Sequence, residues 1–311
     1  MNFDKDVSDT FPDVAVLIPC LNEELTVADV VKDFQAALPD SNVYVYDNAS
    51  TDSTIQRALE AGAIVRHELN RGKGTVVRRM FSEIQADVYV IVDGDNTYDS
   101  STAPLMVKQL IQEELDMVVA IRSDSTNRFG HDFGNRSFTR LYNWLFKSKS
   151  QDLLSGYRAF SRRYVKSFPS ISNGFEIETE MSVHASQLQL STTEIKTNYR
   201  SRPEGSRSKL NTYIDGWKIL RSMITLVKNN RPLFFFSSFS LILGSVSLIL
   251  GIPIIFDFAR TGLVERLPTA LLATGLAVAS LLFVALGLIL DMVAKTKIEL
   301  KRLFYLQNSQ F

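Results

Sequence analysis

Val88-Tyr89-Val90-Ile91-Val92-Asp93-Gly94-Asp95-Asn96 is a short apolar run that ends abruptly in two carboxylates. Runs of this length rich in β-branched residues form buried strands, so a strand ending at Asp93 is expected. Side chains at i and i+2 leave a strand on the same side, which would bring Asp93 and Asp95 together. Two convergent carboxylates repel unless a cation sits between them. The hard, oxygen-liking ions Mg²⁺ and Mn²⁺ suit such a pair and keep open positions for the oxygens of a diphosphate. Asp-Gly is also ordinary turn chemistry, so the triplet alone leaves a plain strand-to-turn exit open.

Around this run the chain alternates. Val14 to Ile18, Val43 to Tyr46, Ile64 to Arg66 and Met117 to Ile121 read as strands. Glu24 to Leu38, Ser53 to Ala61, Lys73 to Gln85 and roughly Thr102 to Glu114 read as helices. Strands alternating with helices predict an α/β fold, a mostly parallel sheet flanked by helices. Ligands of such sheets bind beyond the carboxyl ends of the strands, so the polar residues after each strand are the candidate site.

The first strand runs into Pro19-Cys20-Leu21-Asn22-Glu23, where Asn22 is either a ligand contact or a helix N-cap. After the second comes Asp47-Asn48-Ala49-Ser50-Thr51-Asp52-Ser53, a cluster of acceptors and hydroxyls able to hold a ribose or a base edge, or to cap the next helix. After the third comes Asn70-Arg71-Gly72-Lys73-Gly74, whose glycines bring backbone N–H groups close to a ligand while Arg71 and Lys73 add positive charge. A loop of this kind opening a helix is a plausible diphosphate cradle. It has neither the G-x-x-x-x-G-K-[ST] spacing of a P-loop nor the G-x-G-x-x-G of dinucleotide folds.

The 311 residues carry 34 basic and 34 acidic side chains, a formal net charge of zero, unevenly placed. Lys196, Arg200, Arg202, Arg207, Lys209, Lys218, Arg221, Lys228 and Arg231 meet only Glu204 and Asp215 just before the most apolar part of the chain. Cys20 is the only cysteine, which excludes an internal disulfide and a cysteine zinc cluster. The apolar blocks, roughly Leu233 to Phe256 and Pro268 to Leu290, exceed the ~20 residues needed to cross a hydrocarbon core of about 30 Å. A buried core hairpin is the alternative. Basic flanks on both sides of the pair place them in the cytoplasm by the positive-inside rule, with the short connection outside. Ile214, Trp217, Leu220, Ile224 and Val227 recur at helical spacing between Lys209 and Arg231, as in an interfacial amphipathic helix.

Taken in order, Pro19-Cys20-Leu21-Asn22-Glu23, Asp47-x-x-Ser50-x-Asp52, Arg71-Gly72-x-Gly74 and Asp93-Gly94-Asp95 resemble family 2 glycosyltransferases of the GT-A fold. Asp152-Leu153-Leu154-Ser155-Gly156-Tyr157-Arg158, then Gly174-Phe175-Glu176-Ile177-Glu178, then the run from Tyr199 to Leu210 narrow the resemblance. They are similar to polyprenyl-phosphate glycosyltransferases, the group of the dolichol-phosphate mannose synthases and the GtrB-type enzymes with two C-terminal spans.

The resemblance implies metal-dependent, inverting transfer of a hexose from a nucleotide sugar to a membrane polyprenyl phosphate. UDP-glucose is the first expectation, within UDP-hexose or GDP-mannose. By the same resemblance Pro19, Asn22, Glu23, Asp47, Asn48, Arg71, Gly72, Lys73, Asp93 and Gly94 line the donor, and Asp95 with Asp93 holds Mg²⁺ or Mn²⁺. Arg122, Arg128, Arg136, Arg200, Arg202 and Lys209 are the candidates for the acceptor phosphate, arginine being suited to bidentate phosphate recognition. Asp152 either orients the acceptor as a catalytic residue or pairs with Arg158. Glu176 and Glu178 line the sugar site or cap a helix. The expected domains are a cytoplasmic catalytic domain at 1–208, a juxtamembrane helix at 209–231, a two-helix membrane region at 232–293 and a cytoplasmic tail at 294–311. A homo-oligomer in the lipid bilayer, without a nucleic-acid partner, is expected. A processive polysaccharide synthase and a catalytically silent membrane scaffold are the alternatives. The first usually carries more spans and an Arg-Trp pair that this sequence lacks.

Overall fold

The computed structural model describes residues 12–122, 131–148, 150–170, 174, 176–200, 221 and 224–308. The elements run β1 (Val14–Cys20), α1 (Val27–Ala37), β2 (Asn42–Asp47), α2 (Thr54–Glu60), β3 (Ile64–His67), α3 (Lys73–Glu83), β4 (Val88–Ile91), α4 (Ala103–Gln112) and β5 (Met117–Arg122). They continue with α5 (His131–Phe146), β6 (Arg158–Ser161), α6 (Arg162–Ser167), α7 (Ile177–Leu188), β7 (Thr192–Thr197) and two long helices, α8 (Pro232–Thr261) and α9 (Leu267–Gln307).

Seven strands form one sheet in the order β3-β2-β1-β4-β6-β5-β7. All pairings are parallel except those of β6, which runs antiparallel to β4 and β5. The expected mostly parallel α/β sheet is what forms. Strand alternation sorts the core into two layers. Val14, Val16 and Ile18 of β1 face one layer with Val30, Val31 and Phe34 of α1 and Met106 of α4. Ala15 and Leu17 face the other, with Val77, Met80 and Phe81 of α3 and Phe160 and Tyr164 of the β6–α6 region. The i, i+3, i+4, i+7 spacing of Val27, Val30, Val31 and Phe34 makes one apolar stripe, which holds α1 on the sheet.

The order reverses between β1 and β4, so the loops that follow them diverge and leave a crevice at the carboxyl edge, the usual ligand position in such sheets. Because β6 is antiparallel, its amino end reaches that same edge and brings residues 152–157 beside the loop after β4.

Two expected boundaries shift. β4 ends at Ile91, where it pairs with Arg158. Asp93 and Asp95 therefore stand in the turn beyond the strand, and strand alternation does not set their directions. α1 starts at Val27 rather than at Glu24, and the backbone N–H groups of residues 22–24 are bonded by side chains of the loop after β2.

The chain divides into two compact units, Met1–Tyr213 with Lys301–Phe311, and Ile214–Leu300. In the first unit the end of α9 is tied to the sheet unit. Tyr305 donates to both oxygens of Asp116 at 3.1 Å, Arg163 stacks 5.6 Å over its ring, and Lys301 donates to Gln187. In the second unit α8 and α9 are long and apolar enough to cross a membrane. Only 11% and 6% of their most apolar windows is buried, which is the opposite of a core hairpin. They pack through small residues. Ser240 and Ser280 hydrogen-bond at 2.9 Å, Ser247 donates to the Ala273 carbonyl, and Gly244, Gly251 and Gly287 face side chains of the other helix. Gly275 has open space around it.

Candidate active site

Four loops at the carboxyl edge are laced together by side chains. Asn22 accepts from the Thr51 N–H at 2.8 Å, and its own N–H donates to Ser50. It is thus a clamp between loops, not the N-cap of α1, and its φ of 53° suits an asparagine. The Glu23 N–H donates to Thr54, and Asp52 accepts from Glu24 and from Thr54. Burial alone would raise the Asp52 carboxyl, but these donors outweigh it and hold it below its ordinary value. Asp47 is 3% exposed and accepts the Ser50 N–H.

Asn48 organises the cradle loop. Its amide donates to the carbonyls of Glu68 and Asn70 and accepts the Gly72 N–H at 2.7 Å, so both ends of the side chain brace residues 68–72. Gly72 sits at φ 136°, a conformation that side chains rarely adopt, directly before α3. Arg71 is exposed and reaches the Ala49 carbonyl.

At the centre, Lys73 spans two carboxylates. Its Nζ lies 2.5 Å from Asp93 Oδ1 and 2.6 Å from Glu178 Oε1. Burial favours the neutral amine, but the attraction of Asp93 and Glu178 wins and holds the ammonium well above its ordinary pKa. The Glu178 carboxyl is raised by burial, partly offset by Lys73. Asp93 lies against Gly156, where an added Cβ would come within 2.4 Å of Asp93 Oδ2, so only glycine leaves the carboxylate its place. Asp95 is 4% exposed and is fixed by Thr97, whose hydroxyl donates at 2.6 Å and whose N–H donates at 3.3 Å. Thr26 donates to the Gly94 carbonyl between the two acids.

On the β5 side, Asp152 pairs with Arg122 through two hydrogen bonds of 2.8 and 3.0 Å. The alternative pairing with Arg158 does not occur. Arg158 is fully buried and bonds the carbonyls of Ser155 and Leu153 and the Ser182 hydroxyl. Burial opposes the Arg122 charge, but Asp152 outweighs it and keeps the guanidinium above its usual value. Arg122 also stacks on Tyr199, which meets Tyr98 in an edge contact, and the Gly156 N–H donates to the Tyr98 hydroxyl. Arg200 is exposed, 4.0 Å from Asp99, and its N–H donates to the Thr97 carbonyl. The Arg122–Asp152 pair is thereby linked through aromatic rings to the glycine that supports Asp93. Arg136 lies on α5 with its side chain outside the described residues, as are Arg128, Arg202, Lys209, Phe175 and most of the expected juxtamembrane helix. Tyr157 is a core residue, and Glu176 stands exposed at the start of α7.

Residues 15–168 match the family described as glycosyl transferase family 2. Glycosyltransferase AglJ of Haloferax volcanii is 37% identical over 231 residues, 72% of this chain and 75% of the relative. The chain belongs to glycosyltransferase family 2. The dolichyl-phosphate hexose transferase of the same organism is 25% identical over 226 residues, 71% of this chain and 97% of the relative. The crystal structure of glucosyl-3-phosphoglycerate synthase from Mycobacterium tuberculosis, in complex with Mn²⁺, UDP and phosphoglyceric acid, superposes with a TM-score of 0.56 at 21% identity. That match covers 70% of this chain and 78% of the other and carries the shared fold.

This family 2 glycosyltransferase also holds residues that spacing did not single out. Thr97, two positions after Asp95, has the only signal visible in sequence, a hydroxyl at Asx-turn distance. Tyr98 and the Lys73–Glu178 contact have none, since the latter joins residues 105 apart.

Proposed function

We propose that this glycosyltransferase moves a hexose, with UDP-glucose the leading donor, onto the phosphate of a membrane polyprenyl phosphate, with inversion at the anomeric carbon. One observation carries the reading: the chain that places an Asp-Gly-Asp turn at the switch point of its sheet also carries two helices too apolar and too exposed for a soluble core. The likeness to a dolichyl-phosphate hexose transferase supports a lipid acceptor. The Mn²⁺ and UDP of the solved fold neighbour support a divalent ion and a uridine donor.

The residues present fit such an ion. Among the described residues no group of three or more His, Cys, Asp or Glu is placed to hold a metal. A hard cation that takes one or two carboxylates and completes its shell with water and phosphate oxygens needs no such group. Asp95, held by Thr97, and Asp93 would be its protein ligands, and when bound it would neutralise charge growing on the leaving diphosphate. Asp47 and the 48–53 loop take the nucleoside, and the 70–74 loop presents N–H groups and Arg71 to the diphosphate. The acceptor needs little activation, because a phosphate monoester with its second pKa near ~6 is already an anion at neutral pH. Its oxygen attacks the anomeric carbon as the bond to the diphosphate breaks. Asp152, tied by both oxygens to Arg122, serves this step by fixing the arginine, not by taking a proton. Arg122, Arg200 and, along the chain, Arg128, Arg136, Arg202 and Lys209 meet the lipid phosphate. The catalytic domain at 1–208 and both termini lie on the cytoplasmic side, with α8 and α9 spanning the bilayer.

The test is acceptor dependence. Purified full-length protein with Mn²⁺ and UDP-glucose should release UDP rapidly with a polyprenyl phosphate and only at background with the polyprenol lacking phosphate. Equal release with both would remove the phosphate from the reaction.

A further inference from the structure

Glu178 is a buried carboxylate with half of its bonding capacity used. Oε1 accepts from Lys73, while Oε2 is buried with no partner among the described residues. Beside it lies a small cavity of one-water size, lined in part by Lys73, Gly156, Arg158 and Glu178. A buried ion pair is a poor source of stability, since the cost of desolvating both charges offsets their attraction, and an unsatisfied oxygen makes the balance worse. Packing thus gives no reason for an acid at this position. The electrostatics of Asp93 do. With Lys73 at 2.5 Å, Asp93 alone would be a neutralised carboxylate and a weak ligand for a cation. Glu178 draws on the same ammonium at 2.6 Å, so two carboxylates share one amine.

We propose that Glu178 is a positioning residue of the donor site. By sharing Lys73 it keeps Asp93 able to bind the divalent cation, while holding the lysine where the diphosphate will lie. This rests on the donor-site assignment made above and adds to it the residue that sets the charge of the site. Glu178 acts from 105 positions away through the lysine.

The test is a calorimetric titration of Mn²⁺ into the full-length protein in detergent with UDP present, together with thermal unfolding without metal. Glu178→Gln keeps the shape and an oxygen for Lys73 but removes the charge. It should weaken Mn²⁺ binding by about tenfold, the effect of one neighbouring charge, while the unfolding midpoint stays level or rises. In a Lys73→Met background Glu178→Gln should change Mn²⁺ binding little further, since Glu178 then has no ammonium to share. Unchanged Mn²⁺ affinity in Glu178→Gln overturns the proposal, and so does an equal loss in both backgrounds. Asp95→Asn in the same titration separates this failure from that of the donor site. If Asp95→Asn abolishes binding and Glu178→Gln does not alter it, only the role of Glu178 falls. If the wild-type protein binds no Mn²⁺ with UDP, both readings fall.

Discussion

Replacing Gly156 by alanine perturbs Asp93 without touching its charge. The added Cβ would stand 2.4 Å from Asp93 Oδ2 and 2.9 Å from Cγ, whereas ordinary van der Waals contact begins at 3.4 Å. Opening 2.4 Å to 3.4 Å moves the carboxylate by about 1 Å, or moves the start of β6 by as much. Asp93 is short, and its other oxygen is held by Lys73, so it has little freedom to rotate away. A displacement of this size in a reacting constellation lowers turnover by about 100-fold, or about 2.7 kcal/mol of transition-state stabilisation. The overpacking itself should cost about 1–3 kcal/mol of stability, leaving the protein folded at assay temperature. Steady-state hexose transfer at saturating acceptor, with the Mn²⁺ dependence measured alongside and unfolding followed by circular dichroism, reads both effects. A Gly156→Ala protein with turnover within threefold of wild type and unaltered Mn²⁺ dependence would show that the reaction does not depend on where Gly156 lets Asp93 lie.

Other expectations follow from the same contacts. Asp95→Asn should abolish transfer and most of the metal dependence of UDP binding with the fold intact; near-normal transfer in Mg²⁺ or Mn²⁺ would remove Asp95 from the metal site. Arg200→Ala should raise the KM for lipid phosphate or lower kcat with donor affinity nearly unchanged, and an equal loss of both affinities would place Arg200 at the donor. His184 is buried against Tyr164 and Phe168, and burial with help from Lys301 pulls its pKa down to about 3. A depressed histidine contributes stability that is present above the unfolded pKa of about 6.5 and is lost as pH falls from there towards 3, amounting to about 2 kcal/mol by pH 5. Denaturant melts at pH 7 and pH 5 should show this loss, and His184→Gln should reduce it. Tyr305→Phe leaves buried Asp116 without one donor and should destabilise the catalytic unit by about 1–2 kcal/mol, read in the same melts; no change would mean that the end of α9 is not part of that unit.

The strands of the parallel half were legible because Val14–Cys20 and Val88–Ile91 are dense in β-branched and apolar residues, which few other structures accommodate. The polar loops after them were found by the sheet rule alone. Less legible was whatever depended on partners distant in sequence. Asp152 has Arg158 six positions ahead, yet pairs with Arg122 thirty positions back, because antiparallel β6 buries Arg158 in the sheet and turns Asp152 towards the end of β5. Asn22 looked like a cap, since local spacing shows a helix ahead but not the Thr51 N–H waiting in a neighbouring loop. Strand geometry stops at Ile91, so the placement of Asp93 and Asp95 comes from Gly156, Lys73 and Thr97 instead.

Passage of one hexose from a nucleotide sugar to a lipid phosphate at the Asp-Gly-Asp turn leaves a product that can be weighed. Its most direct test incubates the full-length protein with a panel of nucleotide sugars, a polyprenyl phosphate and Mn²⁺, and identifies the lipid product by mass. The expected product is a single new species, the polyprenyl phosphate plus one hexose, formed best from UDP-glucose and absent with Asp95→Asn. A ladder of added sugars, or a product whose sugar sits on a water-soluble acceptor while the lipid stays unmodified, would contradict it.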